Sequence, residues 1–296
     1  YSEIMDKTLH KLANGDDDIY ALLEEIIGYT FYRRNELRKS FILLGDKANG
    51  KSTLLDVIKN LLGEVNISAL DLAELNSRFK TAELFGKLAN IGDDISDDFI
   101  PDVSIFKKLV SGDRVNAERK GKDPFEFNSY AKLLFSANEM PRMRDKTGAV
   151  IDRLVIVPFT ATFSKNDPDF DPYIKYKLRT PEAMSYIINV GLEGLERVLQ
   201  NRCFTMPAAA RDELREYQEL ADPAREFFDS LERDQIVGKA TDEVYELYVG
   251  WAIKANVSPV SSMQFKRKLA KRFELGSKQV RVGDRRVRVY VRKEDE

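Results

Sequence analysis

The sequence has a single cysteine, Cys203, and a single histidine, His10, in 296 residues. These two cannot assemble a zinc cage or a disulfide, which removes the zinc-ribbon DNA-binding designs, and Cys203 reads as a packed thiol in a reducing compartment. Long apolar runs are lacking as well, since none approaches the roughly 20 residues that a membrane span needs. An excess of one charge is also missing. With 47 basic against 49 acidic residues, nothing draws the whole chain toward nucleic acid, so any such binding must come from local concentration of charge. The chain opens on Tyr1 rather than Met, with no charged-then-apolar leader, and reads as an excised fragment of an intracellular protein, with the cytoplasm of a bacterial host as the expected setting. Internal repeats and low-complexity segments are absent too.

What is there is a soluble globular composition, 43% hydrophobic and 32% charged, long enough for one large domain and a smaller one. Asp16-Asp17-Asp18 supplies an acidic first turn, and Ile19, Leu22, Leu23, Ile26 and Ile27 follow at helical spacing until Gly28, the expected stop. Ser40 to Leu44 is a short apolar run ending in Gly45. After a loop, Leu54, Leu55, Ile58, Leu61 and Leu62 return to helical periodicity. Further apolar runs, 88–91, 131–136 and 154–159, predict buried parallel strands. Between the first two lie a predicted helix over 102–110 and a basic turn, with Val115 and Phe125-Glu126-Phe127 as flanking strands. From Pro181 the pattern is helical to Gln200, and from Pro207 to about Leu231 with a break at Asp222-Pro223. The tail predicts helix, turn, helix and two alternating strands joined by Gly283-Asp284-Arg285, the order of a winged helix.

Gly45-Asp46-Lys47-Ala48-Asn49-Gly50-Lys51-Ser52 matches GxxxxGK[ST] and lies after a strand and at the mouth of a helix, as a phosphate-binding loop requires. Its backbone N–H groups and the helix N-terminus would face the phosphates of ATP, with Lys51 on the β and γ oxygens and Ser52 on Mg²⁺. Thr53 is expected on the helix surface or in packing, with its hydroxyl near the α-phosphate as the alternative. Asp93 and Asp94 end the 88–91 run. Asp93 is read as the magnesium carboxylate and Asp94 as the group that polarises water, against the plainer reading of a solvated turn. Asp97 and Asp98 are read as a solvated loop or helix cap.

Taken in order, Gly-Asp-Lys-Ala-Asn-Gly-Lys-Ser-Thr at 45–53, Leu-Ala-Asn-Ile-Gly-Asp-Asp at 88–94, Leu-Leu-Phe-Ser-Ala-Asn-Glu-Met-Pro at 133–141 and Val-Ile-Asp-Arg-Leu-Val-Ile-Val-Pro-Phe at 150–159 resemble the motifs of superfamily 3 helicases. The resemblance is closest to the phage and plasmid primase-helicase branch related to the poxvirus primase-helicase, and it covers roughly residues 20–160. It implies an α/β AAA+ core (35–206) with a parallel sheet, after a small N-terminal helical segment (1–34) and before a C-terminal helical and winged-helix domain (207–296). It implies a hexameric ring that hydrolyses ATP between subunits and draws single-stranded DNA through a central channel, with a primase domain upstream in the full-length protein. Asn138 would be the polar sensor near the γ-phosphate. Arg153 would be the arginine finger inserted into a neighbour's site, with Arg142 and Arg144 as competitors and a surface salt bridge as the plainer reading.

Arg119-Lys120-Gly121-Lys122 lies where that family carries a hairpin pointing into the channel. Lys120 and Lys122, then Arg119, are the expected DNA contacts. No aromatic stands at the tip, so the expectation is backbone contact without base stacking; a solvated basic turn is the alternative. In the tail, Gln264, Lys266, Arg267, Lys268, Lys271 and Arg272 share a predicted helix whose Met263, Phe265, Leu269 and Phe273 would pack inward, and Arg285, Arg286 and Arg288 crowd the strand beyond. Such a module binds duplex DNA or protein. Two other functions fit a phosphate loop: an ATP-dependent switch or loader without unwinding, and a small-molecule kinase, which the basic hairpin and tail disfavour.

Overall fold

A computed structural model describes residues 1–143, 145, 148–167, 170–220, 224–255, 259–282 and 285–295. The chain divides into two compact units, Tyr1–Tyr217 and Gln218–Glu296. The sequence-based border stood at 206/207. Tyr217 falls in the first unit because it is buried there and its hydroxyl donates to the Pro141 carbonyl at 3.0 Å.

In chain order the first unit holds α1 (Glu3–Ala13), α2 (Asp17–Tyr29), β1 (Ser40–Leu44), α3 (Lys51–Leu62), β2 (Ile67–Ser68), β3 (Ala89–Gly92), α4 (Ser104–Ser111), β4 (Arg114–Ala117), β5 (Phe125–Asn128), β6 (Lys132–Ala137), β7 (Leu154–Pro158), α5 (Ile174–Lys177), α6 (Pro181–Asn201) and most of α7 (Ala208–Leu220). Strands β2-β3-β6-β1-β7 form one sheet in that order, with every pairing parallel. Such strands must be apolar on both faces. Accordingly Phe41, Ile42, Leu43, Leu133, Leu134, Phe135 and Leu154 to Val157 are all buried. Antiparallel β4 and β5 make a separate two-stranded hairpin.

One buried cluster joins α1, α2 and α6 to one face of the sheet through Leu9, Leu23, Ile27, Phe41, Leu55 and Ile187. Residues 1–34 therefore share their core with the sheet. The Asp16 carboxylate caps α2 by accepting from the Asp18 and Ile19 amides, as an acidic first turn allows. Gly28 does not stop that helix. It lies one residue before the end, where a Cβ would meet the Gly191 carbonyl of α6 at 1.9 Å, so glycine is required by backbone contact between the helices. Cys203, expected to be packed, is exposed after α6.

The second unit contains α8 (Arg225–Asp229), α9 (Arg233–Ile236), α10 (Thr241–Lys254), α11 (Ser262–Arg272) and the antiparallel pair β8 (Leu275–Val282) and β9 (Arg285–Arg292). The expected break at 222–223 and turn at 283–284 lie outside the described residues, as does Ser258. Phe265 and Leu269 of α11 enter the core with Phe227, Phe228 and Tyr248. Phe273 is partly buried, but Met263 is 83% exposed, a correction to its expected inward packing. Lys266 pairs with Asp242, Arg272 with Asp229, and Arg292 with Asp234 at 2.9 Å, so part of the basic tail is neutralised within the unit. No helix among the described residues is long and apolar enough to cross a membrane.

Candidate functional site

The C-terminal ends of β1, β3 and β6 converge, and in parallel sheets ligands bind outside that edge. From β1 the chain turns through 45–50 into α3. The turn is pinned on three sides: the Gly45 amide donates to Ala137 O at 3.2 Å, the Asn49 side-chain amide to Phe159 O at 2.9 Å, and the Phe163 amide to Ala48 O at 2.9 Å. Gly50 has φ 91°, in the left-handed region that favours glycine, and it faces the Leu12 side chain of α1, whose methyl a Cβ would meet at 2.2 Å. Asp46, Lys47 and Ala48 form the loop's exposed outer rim, and Ala48 is itself left-handed at φ 60°. Thr53 is half-buried on α3, and its amide donates to Gly50 O.

Lys51, the first residue of α3, is buried, and its ammonium is ringed by neutral oxygens: the Gly45 carbonyl, Asp46 O at 2.8 Å, Asn49 Oδ1 at 3.3 Å and Asn138 Oδ1 at 3.3 Å. Burial holds it below the ordinary lysine value, and the carboxylates of Asp94, Asp46 and Asp93 oppose that shift. From β3 the site receives Asp93 and Asp94. Ser136 Oγ donates to Asp93 Oδ1 at 2.6 Å and accepts from the Asp94 amide at 2.8 Å, while Ser52 Oγ reaches the same Asp93 oxygen at 3.4 Å. Asp94 is held at φ 56°, in a region costly for a residue with a Cβ, and its Oδ1 accepts from Asn138 Nδ2 at 3.0 Å. The loop and both strand ends are thus linked, with Asn138 bridging Lys51 to Asp94.

Two members of this linkage were missed from sequence. Ser136 is buried at the site, and Lys59 reaches Asp93 at 4.0 Å from one face of α3. The signal for Ser136 was its strand period, since positions 136 and 138 point the same way. Among the described residues no group of three or more His, Cys, Asp or Glu is arranged to hold a metal. A hydroxyl beside one carboxylate, as at Ser52 and Asp93, instead suits Mg²⁺, which keeps several waters and takes its remaining ligands from phosphates.

Arg153 is not brought to this end. It precedes β7, whose Leu154 pairs with Ser40 at the opposite end of β1, about 13 Å away along the strand at the usual rise. Its guanidinium donates to Ser111 Oγ at 3.3 and 3.1 Å and to Ala149 O at 2.7 Å. Exposed Arg142 lies beyond Asn138, and Arg144 lies outside the described residues.

Lys120 and Lys122 are exposed at the tip of the β4–β5 hairpin, where Gly121 takes φ 72° and the Lys122 amide donates to Arg119 O. Aromatic rings do come close. Arg119 lies 5.0 Å from the Phe125 ring and 5.8 Å from that of Phe85, which arrives from the segment between β2 and β3.

Residues 43–153 match the model of DUF5906, a family of unknown function. Over 162 residues, 51% of the chain, the sequence is 26% identical to the 184R protein of Invertebrate iridescent virus 6, which carries a provisional helicase name. A second stretch, 145 residues and 45% of the chain, is 26% identical to L207/L206 of Acanthamoeba polyphaga mimivirus, named in the same way. The matches span 16% and 14% of those two relatives. The fold is similar to apo structures of the C-terminal region of NrS-1, with TM-scores of 0.61 and 0.57 at 15% identity, over 98% of this chain and 76% and 75% of theirs.

Proposed function

We propose that this chain is the motor portion of an ATP-dependent DNA helicase of the superfamily 3 kind, an AAA+ hexamer that draws single-stranded DNA through its channel. The observation that carries the reading is the bridge from Lys51 through Asn138 to Asp94, which ties the phosphate-type loop to two strand ends. The provisional helicase names of the two viral relatives support it.

In this reading the amides of 45–50 and the start of α3 cradle a triphosphate, and Lys51 exchanges its neutral oxygen partners for phosphate oxygens. Gly45, Asp46, Lys47, Ala48, Asn49, Gly50 and Thr53 complete the cradle. Ser52 and Asp93 would hold Mg²⁺, which would supply charge neutralisation to the phosphates. Asn138 orients a water that Asp94 polarises, and Ser136 fixes the Asp93 carboxylate and the Asp94 backbone amide. Arg153 acts in a neighbour's site. Arg119, Lys120 and Lys122 contact the DNA strand, and the helices and hairpin of the second unit serve as a winged-helix module. A primase domain precedes the motor in the full-length protein.

The test is ATP turnover with and without single-stranded DNA. DNA-stimulated hydrolysis is expected in the wild-type chain, and its loss in Lys51→Ala and Asp94→Asn; unchanged turnover in both variants would remove the site. Strand displacement on a forked duplex separates a helicase from an ATP-dependent switch or loader, which turns over ATP and displaces nothing.

A further inference from the structure

A concave surface opens beside the basic tip of the β4–β5 hairpin, between it and the segment that precedes β3. Its cavity is about 690 Å³, with Ser68, Phe79, Phe85, Lys87, Arg119 and Lys120 among its walls. That volume lies within the range of roughly 300–1,000 Å³ over which small-ligand pockets are found. Phe85 is half exposed there. Its ring is nevertheless fixed, standing edge-on to Phe125 at 5.3 Å and to Phe127 at 5.4 Å. Arg119 covers this aromatic group from one side. The acid on the wall, Glu83, is already engaged by Lys80 at 3.5 Å, so the cavity presents a flat ring among cations.

We infer that this groove is a stacking subsite for one unpaired base of a single-stranded nucleic acid, with Phe85 as its platform and Arg119, Lys120 and Lys87 on the adjoining phosphates. The inference rests on the single-strand reading above and deepens it. A ring face accepts any base, so binding gains dependence on the presence of bases without dependence on their order. An apolar peptide would meet three cations in the same walls, and a simple polyanion would have no use for the exposed ring. The hairpin therefore does more than the phosphate contact expected from its aromatic-free tip, because the fold supplies the platform from residue 85, remote in sequence.

The test uses the whole chain and two fluorescently labelled oligonucleotides of equal length, one with bases and one abasic, followed by anisotropy. Phe85→Leu keeps an apolar side chain against Phe125 and Phe127 but removes the ring. It is expected to weaken binding of the base-bearing strand about tenfold while leaving the abasic strand unchanged. Phe85→Trp should restore the preference. Lys120→Ala should weaken both strands alike. A 2-aminopurine in the bound strand should be quenched by the wild-type chain and released from quenching in Phe85→Leu. Equal affinity of the wild-type chain for both strands, or equal losses on both in Phe85→Leu, overturns the stacking subsite alone. A wild-type chain that binds neither strand overturns the single-strand reading, and this subsite with it.

Discussion

Lys132 shows how far one residue can control the sheet that carries the site. It opens β6, whose other end carries Asn138, and it is 1% exposed. Its ammonium donates to Asn35 Oδ1 at 2.5 Å, Arg34 O at 2.6 Å and Tyr130 O at 3.0 Å, and lies 4.3 Å from the Tyr29 ring. These contacts stitch the segment after α2 to the sheet. Burial nevertheless pushes its pKa down from 10.5 to about 7, with the Glu36 carboxylate acting the other way. Between those two values the unfolded chain holds a proton that the folded chain has released. Stability contributed by this residue therefore rises with pH across that window and is flat below it. Lys132→Met has no proton to release. In urea unfolding from pH 7 to 9.5, its stability profile should lack a rise of about 1 kcal/mol per pH unit relative to wild type. Parallel profiles for the two proteins would show that Lys132 stays charged in the native state.

At the scale of elements, α2 and α6 cross in backbone contact. A Cβ at Gly28 would stand 1.9 Å from Gly191 O, and one at Gly194 would stand 2.5 Å from the Glu24 carbonyl carbon. Gly28→Ala gains about 1 kcal/mol of helix propensity. It loses about 1–3 kcal/mol to overpacking, and because the obstacle is backbone, no rotamer change relieves it. The clash should win, lowering the unfolding midpoint of the first unit. At Gly250 of α10 a Cβ would have nothing within 4 Å, so Gly250→Ala should instead stabilise the second unit by about 1 kcal/mol. A stabilised Gly28→Ala would mean that the two helices separate at little cost. Gly28 also marks where sequence reasoning reached its limit. Glycine near a helix end looks like a stop, and nothing local distinguishes that from a site of close approach. The strands were legible because β1, β3, β6 and β7 are largely apolar on both faces, and β1, β3 and β6 run into the glycine or polar residues that form the site. α1 falls within the helical segment expected over 1–34 but was not distinguished as a separate helix, although Met5, Leu9 and Leu12 are its buried stripe. β2 has two residues, too few to show a period. Loop, acid pair and Asn138 could be read as ordered motifs, whereas Ser136 and Phe85 acquire meaning only from strand pairing and from a ring delivered across the fold.

For the whole molecule, the separation of Arg153 from its own chain's loop decides what assembly must do. β1 and β7 run side by side from Ser40 and Leu154 to Leu44 and Pro158, so Arg153 and Gly45 flank opposite ends of one strand pair. No rotamer spans that distance, so the finger role proposed for Arg153 requires the site of another copy. To reach it, Arg153 must leave Ser111 and Ala149, three hydrogen bonds in all. At roughly 1.5–3 kcal/mol net for each bond from a charged group, leaving costs about 4–9 kcal/mol. An arginine finger contributes about 10³–10⁵ in rate, or roughly 4–7 kcal/mol of transition-state stabilisation, a gain on the scale of that cost. Turnover per chain should therefore fall on dilution. Arg153→Ala should bind ATP and hydrolyse it slowly at every concentration. Lys51→Ala lacks the loop ammonium but keeps the finger, and Arg153→Ala keeps the loop but lacks the finger. Mixing these two inactive variants should thus create interfaces with both groups and recover part of the wild-type rate. Dilution-independent turnover together with a mixture that stays inactive would confine catalysis to a single chain, and Arg153 would then be a structural clasp on Ser111.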